Sequence, residues 1–400
     1  MKEFLEFFLI IMFVAVISIV LIPGASHAIP AFARRTGESC SACHNPFPKL
    51  NKRGIEYKYN GYRFKVDEGD DIWLLETVPI GFIIEAEGEA NWGDIPAEKD
   101  FKIGEVEILF AGPIGQRYSA FGEIELGGDG SIGEVIGRVQ LDNVLGNGVM
   151  NVAFGNVDID FPHLSFTRRF IHQTYLAQQV GHLGSGAGVE LNGQNLLSGP
   201  LSSYRYNIGY VNMDDDNTAI SHNQMASAYG TLTLGFMDHY VGLQYRYGKE
   251  NQNTYDNGNI TNTEVGDVNV NRIAANTEIN FGSVTFTAAY FYTKYNEFRG
   301  STDELKSNDY MVEALFKPVE KVVLGVRGDL LDAEQGANNG DITATTANAT
   351  YFFLPNIYFG LEYRNVKYDK VDAFGFAPSS LDNPADGTEH KGRLFVVAAF

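Results

Sequence analysis

Tyr204-Arg205-Tyr206-Asn207-Ile208-Gly209-Tyr210 sets Tyr204, Tyr206, Ile208 and Tyr210 against Arg205, Asn207 and Gly209 in strict alternation. Successive side chains of a β-strand point to opposite faces, so this period describes a strand with one apolar side and one wet side. The pattern returns at Val241–Tyr247, where Val241, Leu243, Tyr245 and Tyr247 oppose Gly242, Gln244 and Arg246. It returns again where Ile357, Phe359, Leu361 and Tyr363 oppose Gly360, Glu362 and Arg364. In a soluble sandwich the apolar face would turn into a core. The alternative is a sheet that turns it toward lipid.

Composition favours lipid. The 400 residues hold 43 Gly, 28 Phe and 21 Tyr, yet only 44% are hydrophobic and the net charge is −20. An apolar outside, a polar inside, aromatic belts at both interfaces and glycine at turns are what a transmembrane β-barrel requires. No nucleic-acid partner is expected. Arg393-Leu-Phe-Val-Val-Ala-Ala-Phe400 is a last strand ending on an aromatic residue, and it resembles the ending by which outer-membrane barrels reach their assembly machinery.

Counting back from Phe400 places strands near 393–400, 357–366, 342–353, 321–331, 308–316, 284–293, 271–281, 239–248, 226–235, 203–212, 187–194, 149–158, 133–142, 117–126, 104–112 and 75–90. The fold expected is therefore all-β, an outer-membrane barrel of about 16 antiparallel strands. Short links at 113–115, 236–238, 318–320 and 354–356 then share one rim, and long ones at 213–225, 249–270, 294–307 and 367–392 share the other. Outer-membrane barrels pair short periplasmic turns with long external loops in this way. The parity holds only if 159–186 is one insertion. That segment, opening Phe161-Pro-His-Leu-Ser-Phe-Thr-Arg-Arg-Phe-Ile-His172, is similar to the loop that narrows the lumen of many porins, with an ordinary surface loop as the alternative.

The N-terminus is of another kind. Lys2, an apolar run from Phe7 to Ile22, Pro23-Gly24 and then Ala25-Ser26-His27-Ala28 read as a signal peptide over 1–28 cleaved before Ile29, or else as a retained anchor. No other stretch approaches the roughly 18 apolar residues of a membrane helix. Next comes Cys40-Ser41-Ala42-Cys43-His44, which holds both cysteines of the chain. Behind an export signal, Cys-x-x-Cys-His is a c-type haem attachment site: two thiols bond the vinyl groups and the adjacent imidazole binds the iron. A thioredoxin-like pair would need a βαβ context and a zinc half-site would need more Cys or His nearby. Neither surrounds this motif.

Residues 29–72 are too few to enclose a haem unaided. The barrel of 73–400 is the obvious source of walls. From Ile29 to Val66 there are eight basic residues against two acidic ones, while Glu85, Glu87, Glu89, Glu105, Glu107, Glu123 and Glu125 line the wet face of the first strands. A basic plug against a wall of carboxylates is complementary in a confined lumen, though the same glutamates also suit a porin that merely favours cations.

Ala31–His44, Phe47-Pro-Lys-Leu-Asn-Lys-Arg-Gly54 and Asn60-Gly-Tyr62 together resemble the fused monohaem cytochrome c-porin family of outer-membrane proteins, whose best-known members oxidise ferrous iron. The match is specific over Pro30–Arg63 and architectural beyond it. The resemblance implies one covalent haem c inside the barrel, electrons taken from extracellular Fe(II) or another donor, and a periplasmic c-type cytochrome or other soluble carrier as acceptor. His44 would be the proximal ligand. The first methionine after Ile29 is Met150, so the distal ligand must come from the barrel or its loops, or the iron is five-coordinate. His163, His172 and His182 lie in the proposed constriction loop, with His172 the first candidate; Met150, Met213, Met225, Met237 and Met311 are the alternatives. Outer loops carry hard oxygen donors, including Asp214-Asp215-Asp216, Glu264, Asp267, Asp303 and Glu304, which hold ferrous iron weakly. Two rival functions stay open: a transport porin whose haem segment is a plug or redox gate, and a conduit carrying electrons outward to extracellular acceptors.

Overall fold

The computed structural model describes residues 31–64, 80–95, 97–127, 131–145, 149–165, 167–179, 183–214, 224–256, 259–296, 303–370 and 386–400. The proposed signal peptide and residues 65–79, including the expected start of the first strand, lie outside them. Sixteen strands form one closed barrel: β1 (Ile80–Gly93), β2 (Glu98–Ile114), β3 (Tyr118–Gly127), β4 (Ile132–Leu141), β5 (Asn151–Asp158), β6 (Ser185–Leu196), β7 (Ser203–Asp214), β8 (Gln224–Phe236), β9 (His239–Asp256), β10 (Asn259–Phe281), β11 (Val284–Tyr295), β12 (Leu305–Val319), β13 (Val322–Gln335), β14 (Asn338–Leu354), β15 (Ile357–Asp369) and β16 (Asp386–Ala399). Each pairs antiparallel with its sequence neighbours, and β1 closes on β16 from Ile83↔Ala399 to Gly93↔Glu389. Every backbone ladder is thus satisfied by a neighbour, as a sheet in hydrocarbon requires.

The alternating faces fall as a membrane barrel demands. Ile208 and Tyr210 are 56% and 58% exposed, whereas Arg205 on the other face is 1% exposed. Leu243, Tyr245, Leu361 and Tyr363 likewise point outward, while Gln244, Arg246, Glu362 and Arg364 are buried. A soluble sandwich would show the reverse.

The short links share one rim as expected, between β2 and β3, β8 and β9, β12 and β13, and β14 and β15. Met237 turns there at φ 56 and Gly115 at φ 62. The long rim departs from expectation at 249–270, because β9 and β10 run on as a ribbon to Asp256 and Asn259. The backbone ladder continues there although the sequence carries no apolar alternation to mark it. Residues 332–335 and 338–341, which lay between expected strands, belong to β13 and β14.

Residues 159–184 are the single insertion that the parity required, since β5 pairs directly with β6. Phe161, Leu164, Phe170, Ile171, Tyr175 and Leu176 in it are all nearly inaccessible. Its short helix α4 (Leu176–Gln179, the fourth helix in chain order) packs on β12 and β13. Those strands lie seven and eight places round the ring from β5, so the insertion crosses the bore. It is a constriction loop.

Candidate functional site

The N-terminal segment folds as three short helices, α1 (Ala31–Thr36), α2 (Cys40–Cys43) and α3 (Lys52–Tyr59). Asn51 joins the last two: its side chain accepts from Gly54 N at 3.1 Å as the N-cap of α3 and donates to Ala42 O at 3.1 Å. Gly54 sits so close to α2 that a Cβ there would lie 2.2 Å from Cys43 O. The two turns of backbone therefore touch, and the motif is held rigidly against α3.

Cys40 and Cys43 are unpaired thiols, half-buried at the two ends of α2. Burial is the largest influence on both, and it pushes both thiols above their ordinary range. His44 Nδ1 lies 2.9 Å from Pro48 O. A carbonyl can only accept, so Nδ1 carries the proton and the tautomer presents Nε2 as the ligating atom. Burial also holds the imidazole down to about 4, which keeps it neutral and fit to bind a metal. Two free thiols three positions apart and a neutral imidazole with an oriented ring are the donor set that a c-type haem needs. Among the described residues there is no group of three or more His, Cys, Asp or Glu arranged to hold a metal ion.

Three buried or half-buried ion pairs tie this segment to the inner wall. Lys49 Nζ reaches Glu278 of β10 at 2.9 Å and Thr287 of β11 at 3.2 Å. Lys58 reaches Asp158 of β5 at 2.8 Å. Arg63 binds Asp142 at 2.5 Å and donates to Gly115 O and Tyr118 O on the short-turn rim at 2.7 and 2.8 Å. Gln194 of β6 donates to Glu56 O and Phe47 meets Tyr358 of β15, so contacts arise on several sides of the bore. These contacts of the described N-terminal residues reach strands on several sides of the inner wall and the short-turn rim.

The carboxylates it uses differ from those expected. Arg393 binds Glu85 and Glu87, Lys102 binds Glu87 and Lys391 binds Glu89. The register explains this, because β16 and β2 flank β1 and place those bases beside its glutamates before any plug residue can reach them. Glu105, Glu107, Glu123 and Glu125 are half-buried, whereas the inward residues of β11 to β15, such as Thr287, Glu313, Arg327 and Thr346, are buried. The segment also meets β2 through α1 and the β2–β3 turn through Arg63, so its contacts reach that side of the bore as well.

His172 is placed by the loop against β1, β15 and β16. Its backbone N donates to Glu362 at 2.7 Å, Nδ1 lies 3.5 Å from Glu85 and Nε2 lies 3.3 Å from Tyr358 OH. Both ring nitrogens are engaged. His163 accepts from Asn276 Nδ2 through Nε2 at 2.9 Å and stacks on Tyr240, while its Nδ1 is buried without a partner. His182 and Asp215–Asp216 lie outside the described residues. Met311 is buried in a cluster with Phe161, Leu164 and Tyr175, and Met237 is on an exposed turn. Sequence reasoning missed Glu278, Asp158 and Asp142, which are lone acids on wet faces with nothing to mark them.

Burial holds His163 down to about 4. Undocked, it would take a proton near its ordinary value of about 6.5. Loop docking is therefore strongest above that pH and weakens as pH falls from about 6.5 toward 4, by at most about 1.4 kcal/mol per pH unit. Hydrogen exchange over 161–179, corrected for its intrinsic pH dependence, is expected to accelerate across that window. A His163→Gln variant is expected to show a flatter profile; identical profiles would refute the assignment.

A closed 16-strand antiparallel barrel, apolar outside and wet inside, is the architecture of outer-membrane porins, and it places the chain in the bacterial outer membrane, in contact with its lipid. The solved structures agree. The chain is similar to OmpT of Vibrio cholerae at 12% identity and a TM-score of 0.56, covering 80% of this chain and 97% of that one. It is similar to the anion-selective porin of Comamonas acidovorans at 12% identity and 0.57, covering 81% and 99%. The outer membrane channel DcaP of Acinetobacter baumannii gives 12% and 0.53, covering 80% and 97%. No family model and no curated protein matches the chain.

Proposed function

We propose that this porin-like barrel carries one covalent haem c on Cys40 and Cys43, with His44 as proximal ligand, and passes electrons between an extracellular donor, Fe(II) first, and a periplasmic c-type cytochrome or other soluble carrier. On this reading it is an Fe(II)-oxidising outer-membrane cytochrome of the fused cytochrome-porin kind that Pro30–Arg63 resembles. The observation that carries the proposal is the Cys-x-x-Cys-His turn with His44 Nδ1 tied to Pro48 O, on a segment anchored to wall residues of the barrel. When bound, the haem would supply one-electron chemistry. The protein's own part is to orient the imidazole, keep it neutral and wall off most of the bore. The half-buried Glu105, Glu107, Glu123 and Glu125 would draw cations into the bore. His172 can be the distal ligand only if its Nε2 leaves Tyr358.

A second reading, a transport porin whose N-terminal segment is a plug or redox gate, is favoured by the likeness to channels such as DcaP and the Comamonas porin. Ferrous iron added to the purified protein under argon separates the two. The electron-carrier reading expects the haem to be reduced and the closed bore to conduct poorly in planar bilayers. An oxidised spectrum after Fe(II), with conductance that switches on chemical reduction, would reject it for the gate. A haem potential too low for Fe(II) would favour electron flow outward.

A further inference from the structure

Three places on the inner wall each hold one residue of the N-terminal segment together with one of the constriction loop. On β5, Asp158 Oδ2 takes Lys58 Nζ at 2.8 Å and Arg168 Nη2 at 3.1 Å. On β10, Glu278 takes Lys49 Nζ at 2.9 Å, and Asn276, two residues earlier and so on the same face, bonds His163 Nε2 at 2.9 Å. On β15, the Tyr358 ring meets Phe47 with centroids 6.2 Å apart, and its hydroxyl lies 3.3 Å from His172 Nε2. These strands stand five places apart round the ring, so the shared anchors are spread over the wall.

The three anchors do not act alike. At Asp158 the two bases compete for one oxygen, so losing Lys58 leaves Arg168 its partner. At β10 and β15 the dependence runs the other way. Lys49, Glu278, Asn276 and His163 are all buried, and Asn280 donates only to the other Glu278 oxygen. Withdrawing Lys49 therefore leaves a buried carboxylate oxygen that water must meet, and that water also reaches Asn276 and His163 beside it. Tyr358 is buried as well, and Phe47 packs on the same apolar cluster as Phe170 and Ile171 of the loop. Withdrawing Phe47 wets that cluster and makes water a competitor for the Tyr358–His172 bond. Two of the three anchors thus favour the loop only while the segment is docked.

We propose that the N-terminal segment and the constriction loop close the bore as one cooperative unit, docking together on β10 and β15 and leaving together. The segment is the brace of the loop. A barrel with the loop docked and the segment withdrawn is then not a populated state, so the bore has one closed form and one open form. Neither anchor uses Cys40, Cys43 or His44, and the coupling stands with or without a porphyrin.

Two variants placed away from the shared anchors test this in the full-length protein in detergent. Arg63→Ala loosens the segment at the rim, where its partners are Asp142, Gly115 and Tyr118. Leu176→Ala loosens the loop where it clusters with Val268, Leu331 and Val366 of the wall. Hydrogen exchange is read over 31–64, over 161–179 and over the barrel strands, whose unchanged protection certifies an intact barrel. Because coupling between two sites is reciprocal, each variant is expected to accelerate exchange in both segments by the same factor, to within about twofold. In the wild type the slowest amides of the two segments are expected to share one protection factor, which covers the case in which a variant fails to fold. Acceleration of either segment by about tenfold or more with the other unmoved would overturn the proposal in favour of two independent closures, as would wild-type protection factors that differ by that margin.

Discussion

A chain carrying Cys40→Ser and Cys43→Ser will assemble the same barrel in the outer membrane and hold no haem after denaturation. Attachment needs both the thiols and the imidazole they flank, and these are the only cysteines in the chain. The barrel does not depend on them. Its sixteen ladders close through β1 and β16, and neither thiol lies on a strand. The expected gel is therefore one in which the unboiled band still migrates as a folded barrel while the haem stain and the visible absorbance vanish. His44→Ala separates the roles further: thioether attachment can persist, but the axial-ligand spectrum must change. Covalent haem in the double variant would refute the assignment.

Arg63→Ala will release the plug. Arg63 is 1% exposed, and it satisfies Asp142 and two rim carbonyls at once. Breaking a buried pair by removing one partner costs about 3–5 kcal/mol, because the other charge stays behind. Ser119 and Gln140 still donate to Asp142 at 3.0 and 2.7 Å, so the lower end applies. A population shift of that size exposes residues 31–64 to protease by roughly two orders of magnitude more than in the wild type. Conductance should rise in parallel as the bore opens. Gly61→Ala is expected to act alike, since a Cβ there would lie 2.5 Å from the Asp142 carboxylate and Gly61 adopts φ 63. Arg53→Ala, which removes a half-exposed pair with Glu38, should change neither measurement.

The strand count, the shared rim of short turns and the inward insertion at 159–184 could be read from the sequence because lipid enforces alternation on every residue that spans it. Where that force ends, legibility ends with it. Lys249–Asp256 and Asn259–Asn269 continue the β9–β10 ladder, with register shifts near Glu264, yet the text looks like a loop. The Cys40–His44 spacing stands out in the sequence because a c-type haem would require it. The anchorage of that segment does not: nothing in the sequence distinguishes Glu278 from Glu85, and only the register reveals that Glu85 is already held by Arg393 from β16.

The most direct test of the central claim is the intact mass of the protein purified from outer membranes in detergent and then denatured. A porphyrin covalently retained, and located by digestion on the peptide containing Cys40 and Cys43, is the predicted result. An unmodified peptide from a correctly folded, exported barrel would contradict the account.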